Sequence, residues 1–188
     1  KVLSILAREA ENIGARKPPK NEQYFNSLDG VSYIFYHHTN GEECNSADAC
    51  AEIIRTWQKC HQDTRGWDGI GYSFLIGGDG SVYEGRGWRR VGAHTLGYND
   101  ISLSFGFIGN FSTKVPNWQN AEGPPICSFS AASQWGLSVL TTPYTARGMQ
   151  TAGCVQGDAF YRNITTLQRF GGKLNRFVCT DPPGPCRI

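Results

Sequence analysis

The chain has 188 residues, 39% of them apolar, which is enough for one domain with a sizeable core and too few for two comfortable ones. A net charge of +2 and the lack of a basic stripe set aside nucleic acid as a partner, and no stretch approaches the ~18 apolar residues of a membrane span. Seven cysteines without a CxxC pair point to an oxidising compartment, hence a secreted chain, and away from a structural zinc knuckle.

In chain order, Lys1-Val2-Leu3-Ser4 lacks the layout of a signal peptide and reads as a mature start. Val2, Leu3, Ile5 and Leu6 followed by charge predict a short amphipathic helix over 1–12. The prolines of 17–20 make a linker, so 1–30 reads as an N-terminal segment. Alternation around Val31, Tyr33, Phe35 and His37 predicts a buried strand over 31–37. Ser46 is a candidate N-cap for a helix over 47–61 with Cys50, Ile53, Ile54, Trp57 and Cys60 on its apolar face.

A strand at 72–76, a turn at Gly77-Gly78-Asp79-Gly80 and a strand at 81–84 read as a hairpin. A further strand is expected over 104–109. Asp158 can cap a last helix to Phe170, and the tail 171–188 carries two cysteines and three prolines. Helices and strands in this order make a single α/β or α+β domain with a mixed sheet, spanning 1–188. Asn110-Phe111-Ser112 and Asn163-Ile164-Thr165 are N-glycosylation sequons, so a glycoprotein is expected.

Several blocks then follow one another: Tyr36-His37-His38-Thr39, Gly66-Trp67-Asp68-Gly69-Ile70-Gly71-Tyr72, Gly77-Gly78-Asp79-Gly80, Tyr83-Glu84-Gly85-Arg86-Gly87-Trp88, Gly92-Ala93-His94-Thr95, Gly97-Tyr98-Asn99 and Phe107-Ile108-Gly109-Asn110-Phe111. In this the chain resembles the peptidoglycan recognition proteins, relatives of the type 2 N-acetylmuramoyl-L-alanine amidases. The match is dense over 31–112 and poor over 113–156. The resemblance implies an α/β fold with a central mixed β-sheet flanked by helices, a Cys44/Cys50 disulfide, and a groove for bacterial peptidoglycan or muropeptide. Cys60, Cys127, Cys179 and Cys186 can then make two more bridges of unreadable connectivity, which leaves Cys154 as the odd thiol.

Amidase members of that family hold zinc with two histidines and a cysteine, leaving an open fourth position for water. By resemblance His37 is the first ligand, Cys154 the last, and Tyr72 the catalytic hydroxyl that steadies the oxyanion. Met149 stands where the second histidine belongs. The four histidines are His37, His38, His61 and His94, so none follows His94 to replace it. A thioether is a poor zinc ligand. No cofactor is therefore expected, and zinc only if amidase activity is retained.

By strand alternation His38 faces away from His37. His94 either touches ligand or faces solvent. Gly66, Trp67 and Arg86 match positions that in this family favour a stem peptide containing meso-diaminopimelate (DAP), whose extra carboxylate a guanidinium fork would answer. The alternatives are an Arg86–Glu84 pair and a core role for Trp67. Tyr72, Trp88, Thr95 and Asn99 complete the expected lining.

Three readings follow: a secreted innate-immunity protein that binds cell wall without cleaving it, a zinc amidase with an altered metal site, and a repurposed structural protein on the same scaffold. Self-association through the tail cysteines stays open.

Overall fold

The computed structural model describes residues 7–8, 13–16, 22–116, 150–151, 159 and 162. Its described strands are β1 (Ala7–Arg8), β2 (Tyr33–His38), β3 (Phe74–Ile76), β4 (Val82–Glu84), β5 (Ser102–Phe107) and β6 (Gln150–Thr151), with one long helix, α1 (Ala47–Asp63). The strands form one mixed sheet in the order β1-β4-β3-β5-β2-β6. Only β3 and β4 run antiparallel among the described strand pairs, as a hairpin closed by the Gly77–Gly80 turn.

Strand alternation divides the core into two faces. On one, Ile34, Tyr36, Phe74, Ile76, Val82, Phe105 and Phe107 pack together with Phe111. On the other, α1 lays Cys50, Ala51, Ile54 and Trp57 against Leu75 and Tyr83. The register puts Leu75, Gly106 and His37 in one row across β3, β5 and β2, so His37 shares the face that α1 covers. Fully burying an apolar side chain of this size is worth about 1.5–3 kcal/mol, so this layer fixes where α1 sits.

α1 begins where the sequence predicts. The Ser46 hydroxyl accepts a hydrogen bond from the Ala49 amide, and Asp48 sits in the positive first turn. Cys44 and Cys50 are disulfide-bonded with Cα atoms 5.0 Å apart, which ties the incoming loop to that first turn. Cys60 is disulfide-bonded as well. Replacing Ser46 by Ala should lower stability by about 1 kcal/mol, read as a shifted urea midpoint at constant slope. An unchanged midpoint would mean that the disulfide alone holds the helix start.

One expectation is corrected. Residues 7 and 8 form a strand pairing in parallel with Val82 and Tyr83, not part of a helix. The outer edge of β4 has unpaired backbone groups, and pairing there satisfies them better than one turn of an isolated helix would. The remaining boundary differences are small. The strand expected at 104–109 is found at Ser102–Phe107, and the helix expected to end at 61 continues to Asp63. Ala159 and Arg162 are helical, as the expected last helix requires, while the rest of 158–170, the tail 171–188 and the linker 17–20 lie outside the described residues.

Candidate functional site

The site grows from the His37 row. Gly106 is opposite His37 in the register, and a Cβ there would lie 3.0 Å from the Tyr72 ring. The missing side chain therefore lets Tyr72 lie flat over the sheet, with its ring 5.6 Å from that of His37. Gly71 has the same function beside it, since a Cβ would meet the Ala93 carbonyl oxygen at 2.6 Å. That close approach brings the 92–99 loop down onto the sheet, where the Ala93 amide donates to the Gly71 carbonyl.

Asn99 shapes that loop. Its Oδ1 accepts from the amides of His94 and Thr95, at 2.9 and 2.8 Å. The Thr95 hydroxyl then lies 2.9 Å from His94 Nδ1 and 3.4 Å from His37 Nε2. A hydroxyl has one proton, so it donates to one imidazole and accepts from the other. The His94 ring is 5.6 Å from His37 and 6.0 Å from Phe35, and its Nε2 is buried without a hydrogen bond. Burial holds His37 neutral, with a pKa lowered to about 3, and burial also pushes His94 well below its usual value. The Tyr72 hydroxyl is pushed up to about 12 by burial and keeps its proton. Two neutral imidazoles, a threonine hydroxyl and a protonated phenol thus share one side of the sheet.

His38 faces the other way, as expected, and its Nδ1 accepts from the Phe111 amide. Trp88 is not part of the cluster. It packs 4.4 Å from Phe74 in the core of the opposite face, which corrects its expected lining role. Phe74 and Leu75 are adjacent and must point to opposite sides, and Trp88 follows Phe74.

Two residues of this region escape sequence reasoning. His61, at the end of α1, accepts the Gly71 amide on Nδ1 at 3.1 Å, so its proton sits on Nε2. It packs 4.7 Å from Trp67 and joins the helix to the 66–72 loop. Its spacing of four from Trp57 on a helical face is the only signal the sequence offers. The Arg65 guanidinium lies 5.0 Å over the Trp67 ring, a cation–π contact. Trp67 is half-buried, so it is neither buried core nor free surface.

Arg86 is only 9% exposed. Its Nε donates to the Ile70 carbonyl at 2.9 Å and its Nη1 to the Val91 carbonyl at 2.8 Å. The alternative of an Arg86–Glu84 ion pair is not what forms. Burial lowers the Arg86 pKa from its usual high value, and nearby Asp68 opposes that shift. Gly66 turns with φ 67°, the conformation that favours glycine, and leads into this loop.

Of the ligands that the resemblance implies for zinc, His37 is described, while Cys154 and Met149 lie outside the described residues. β6, which begins one residue after Met149, pairs with Phe35 and Tyr36 of the strand that carries His37. The late segment thus reaches the correct edge of the sheet. The donor set itself is one imidazole, one thiol and one thioether, and it falls short of the three nitrogen, thiolate or carboxylate ligands of a catalytic zinc. Within the described cluster, one nitrogen of each imidazole converges on the Thr95 hydroxyl rather than on a common open point.

This mixed sheet, with a half-buried aromatic and imidazole cluster at one side, is the architecture of an amidase-like cell-wall domain. The family profile described as N-acetylmuramoyl-L-alanine amidase matches residues 10–150. Peptidoglycan-recognition protein SC1a of Drosophila melanogaster is 44% identical over 125 residues, covering 66% of this chain and 60% of that protein. This chain therefore spans less than two thirds of that fly relative's length. Among solved structures, PGRP-SA of Apis mellifera is 32% identical with a TM-score of 0.72, covering 89% of this chain and 99% of the other. Peptidoglycan recognition protein LE, solved with tracheal cytotoxin (monomeric diaminopimelic acid-type peptidoglycan), is 30% identical with a TM-score of 0.70, covering 89% and 96%. The chain belongs to the peptidoglycan recognition protein family, related to the type 2 amidases.

Proposed function

We propose that this chain is a secreted pattern-recognition protein of innate immunity that binds bacterial peptidoglycan, prefers the DAP type and does not hydrolyse it. The observation that carries the reading is Arg86. Two of its five N–H donors are fixed on the Ile70 and Val91 carbonyls, which orients the guanidinium and leaves three donors for a carboxylate. Gly66 and Trp67 belong to the same loop as Ile70, and Tyr72, His94 and Thr95 form the adjoining surface. Aromatic faces of this kind suit the CH surfaces of sugars. The disulfides at Cys44–Cys50 and Cys60 support an oxidising compartment. Asn110 is exposed, as a glycosylated asparagine must be. Among the described residues no helix is long and apolar enough to cross a membrane.

The second reading, a zinc amidase with a substitute ligand, is favoured by one feature. His37 and Tyr72 stay side by side, as a metal ligand and an oxyanion donor would. One experiment separates the two. The protein is mixed with insoluble DAP-type or lysine-type peptidoglycan and added zinc, pelleted, and the supernatant is read by mass spectrometry for released stem peptides. Pelleting that favours the DAP type without release is expected. Release that stops on chelation would make the chain an amidase, and no pelleting on either wall would leave the repurposed-scaffold reading.

A further inference from the structure

A recess of about 410 Å³ lies beside the loop that Arg86 supports, lined by Arg86, Asp68, Arg90, Glu22, Gln58 and Gly69 among others. Its charges are not all paired alike. At one end Glu22 is closed off: it takes a hydrogen bond from Tyr24 and an ion pair from Arg90, and these outweigh burial and keep its pKa low. Gln58 is also committed, its side chain bonding the Arg16 backbone at both N and O. At the other end Arg86 and Asp68 sit near enough for Asp68 to favour the charged guanidinium, yet they form no ion pair. Asp68 is half-buried, and only its backbone carbonyl is engaged, by Gln62.

Two opposite charges that face one recess and do not touch make a receptor for a group with the complementary pair. We infer that the recess takes a zwitterionic α-amino acid group, its carboxylate on Arg86 and its ammonium on Asp68. The side-chain end of meso-DAP is such a group, whereas lysine offers only an ammonium there. The carboxylate half rests on the reading of Arg86 given above. The ammonium half, and Asp68 as the residue that reads it, is new. A carboxylate without hydrogen-bond partners of its own is a strong acceptor for an ammonium, and each charge-assisted contact is worth roughly ten-fold in affinity.

The test is calorimetric titration of the full chain with three muropeptides: one ending in free meso-DAP, one amidated at the DAP side-chain carboxyl, and one acetylated on the DAP side-chain amine. Free meso-DAP is a fourth probe and separates a pocket for any α-amino acid from one that needs the stem peptide. The wild type should bind the acetylated form about ten-fold more weakly than the free form. Asp68→Asn should bind these two alike while still rejecting the amidated form. Wild-type protein that rejects the amidated form but not the acetylated one would overturn the ammonium contact and leave DAP recognition standing. The same would follow if Asp68→Asn kept the wild-type preference. No binding of any probe would overturn both. Thermal unfolding of Asp68→Asn checks that the variant is folded.

Discussion

Lowering the pH from 7 to 5 should destabilise this protein sharply, before most carboxylates titrate. All four of its histidines are held neutral by burial: His37 and His61 have pKa values lowered to about 3, His38 to about 4, and His94 is pushed well below its usual value. In the unfolded chain they take up protons near pH 6.5. Between about 6.5 and the folded values, the unfolded state therefore binds more protons than the native one, and stability rises with pH across that window. The contribution is complete above pH 6.5 and is lost progressively as the pH falls toward 4 and 3. Each such group is worth up to about 1.4 kcal/mol per pH unit. His37, His38 and His61, all 5% exposed or less, could together cost on the order of 4 kcal/mol per unit, a large share of a typical domain's 5–15 kcal/mol. The melting temperature should drop by roughly 10 °C or more between pH 7 and 5. A flat profile over that range would mean that the histidines open to solvent at little cost.

The second large effect is expected at Arg86. Arg86→Ala removes the donors that hold Ile70 and Val91, so two loop carbonyls lose their partners. That should cost about 1–3 kcal/mol of stability, read by urea unfolding. Under the proposed function it should also weaken a DAP muropeptide by about ten- to a hundred-fold while leaving a lysine muropeptide nearly unchanged. Arg86→Lys keeps the charge and loses the fork, so it should recover little of the DAP preference. Equal losses for both muropeptides would reduce Arg86 to a loop brace. The two readouts are separable because the carbonyl contacts and the remaining donors are different parts of one guanidinium.

The two predictions concern the same small region. His61 joins α1 to Gly71, Arg86 joins Ile70 to Val91, and Asn99 holds the loop that places His94 and Thr95. The side chains expected to meet a ligand stand on backbone that is braced from behind by buried polar groups. Such bracing lowers the ordering cost of binding. It also means that protonating His61 removes the acceptor for the Gly71 amide, so acid should loosen the candidate site along with the fold.

Much of this was legible in the sequence, for a physical reason. Period-two alternation through Tyr33, Phe35 and His37, the Ser46 cap and the glycine turn at 77–80 are local signals, and each specifies its own element wherever it sits. Alternation also sufficed to send His37 and His38 to opposite faces. The ordered blocks from Tyr36 to Phe111 carried the family, and the count of histidines carried the shortage of zinc ligands. What only the tertiary structure decided depends on partners far apart in the chain. Two residues at 7–8 are too short to show a period, and the open edge of β4 makes them a strand. Trp88 lies just beyond a strand, where alternation no longer sets a face, and Phe74 drew it to the other core. The partners of Arg86 are backbone carbonyls, which every residue has and which no side chain announces. His61 is a helix residue like its neighbours until the fold brings Gly71 to its ring.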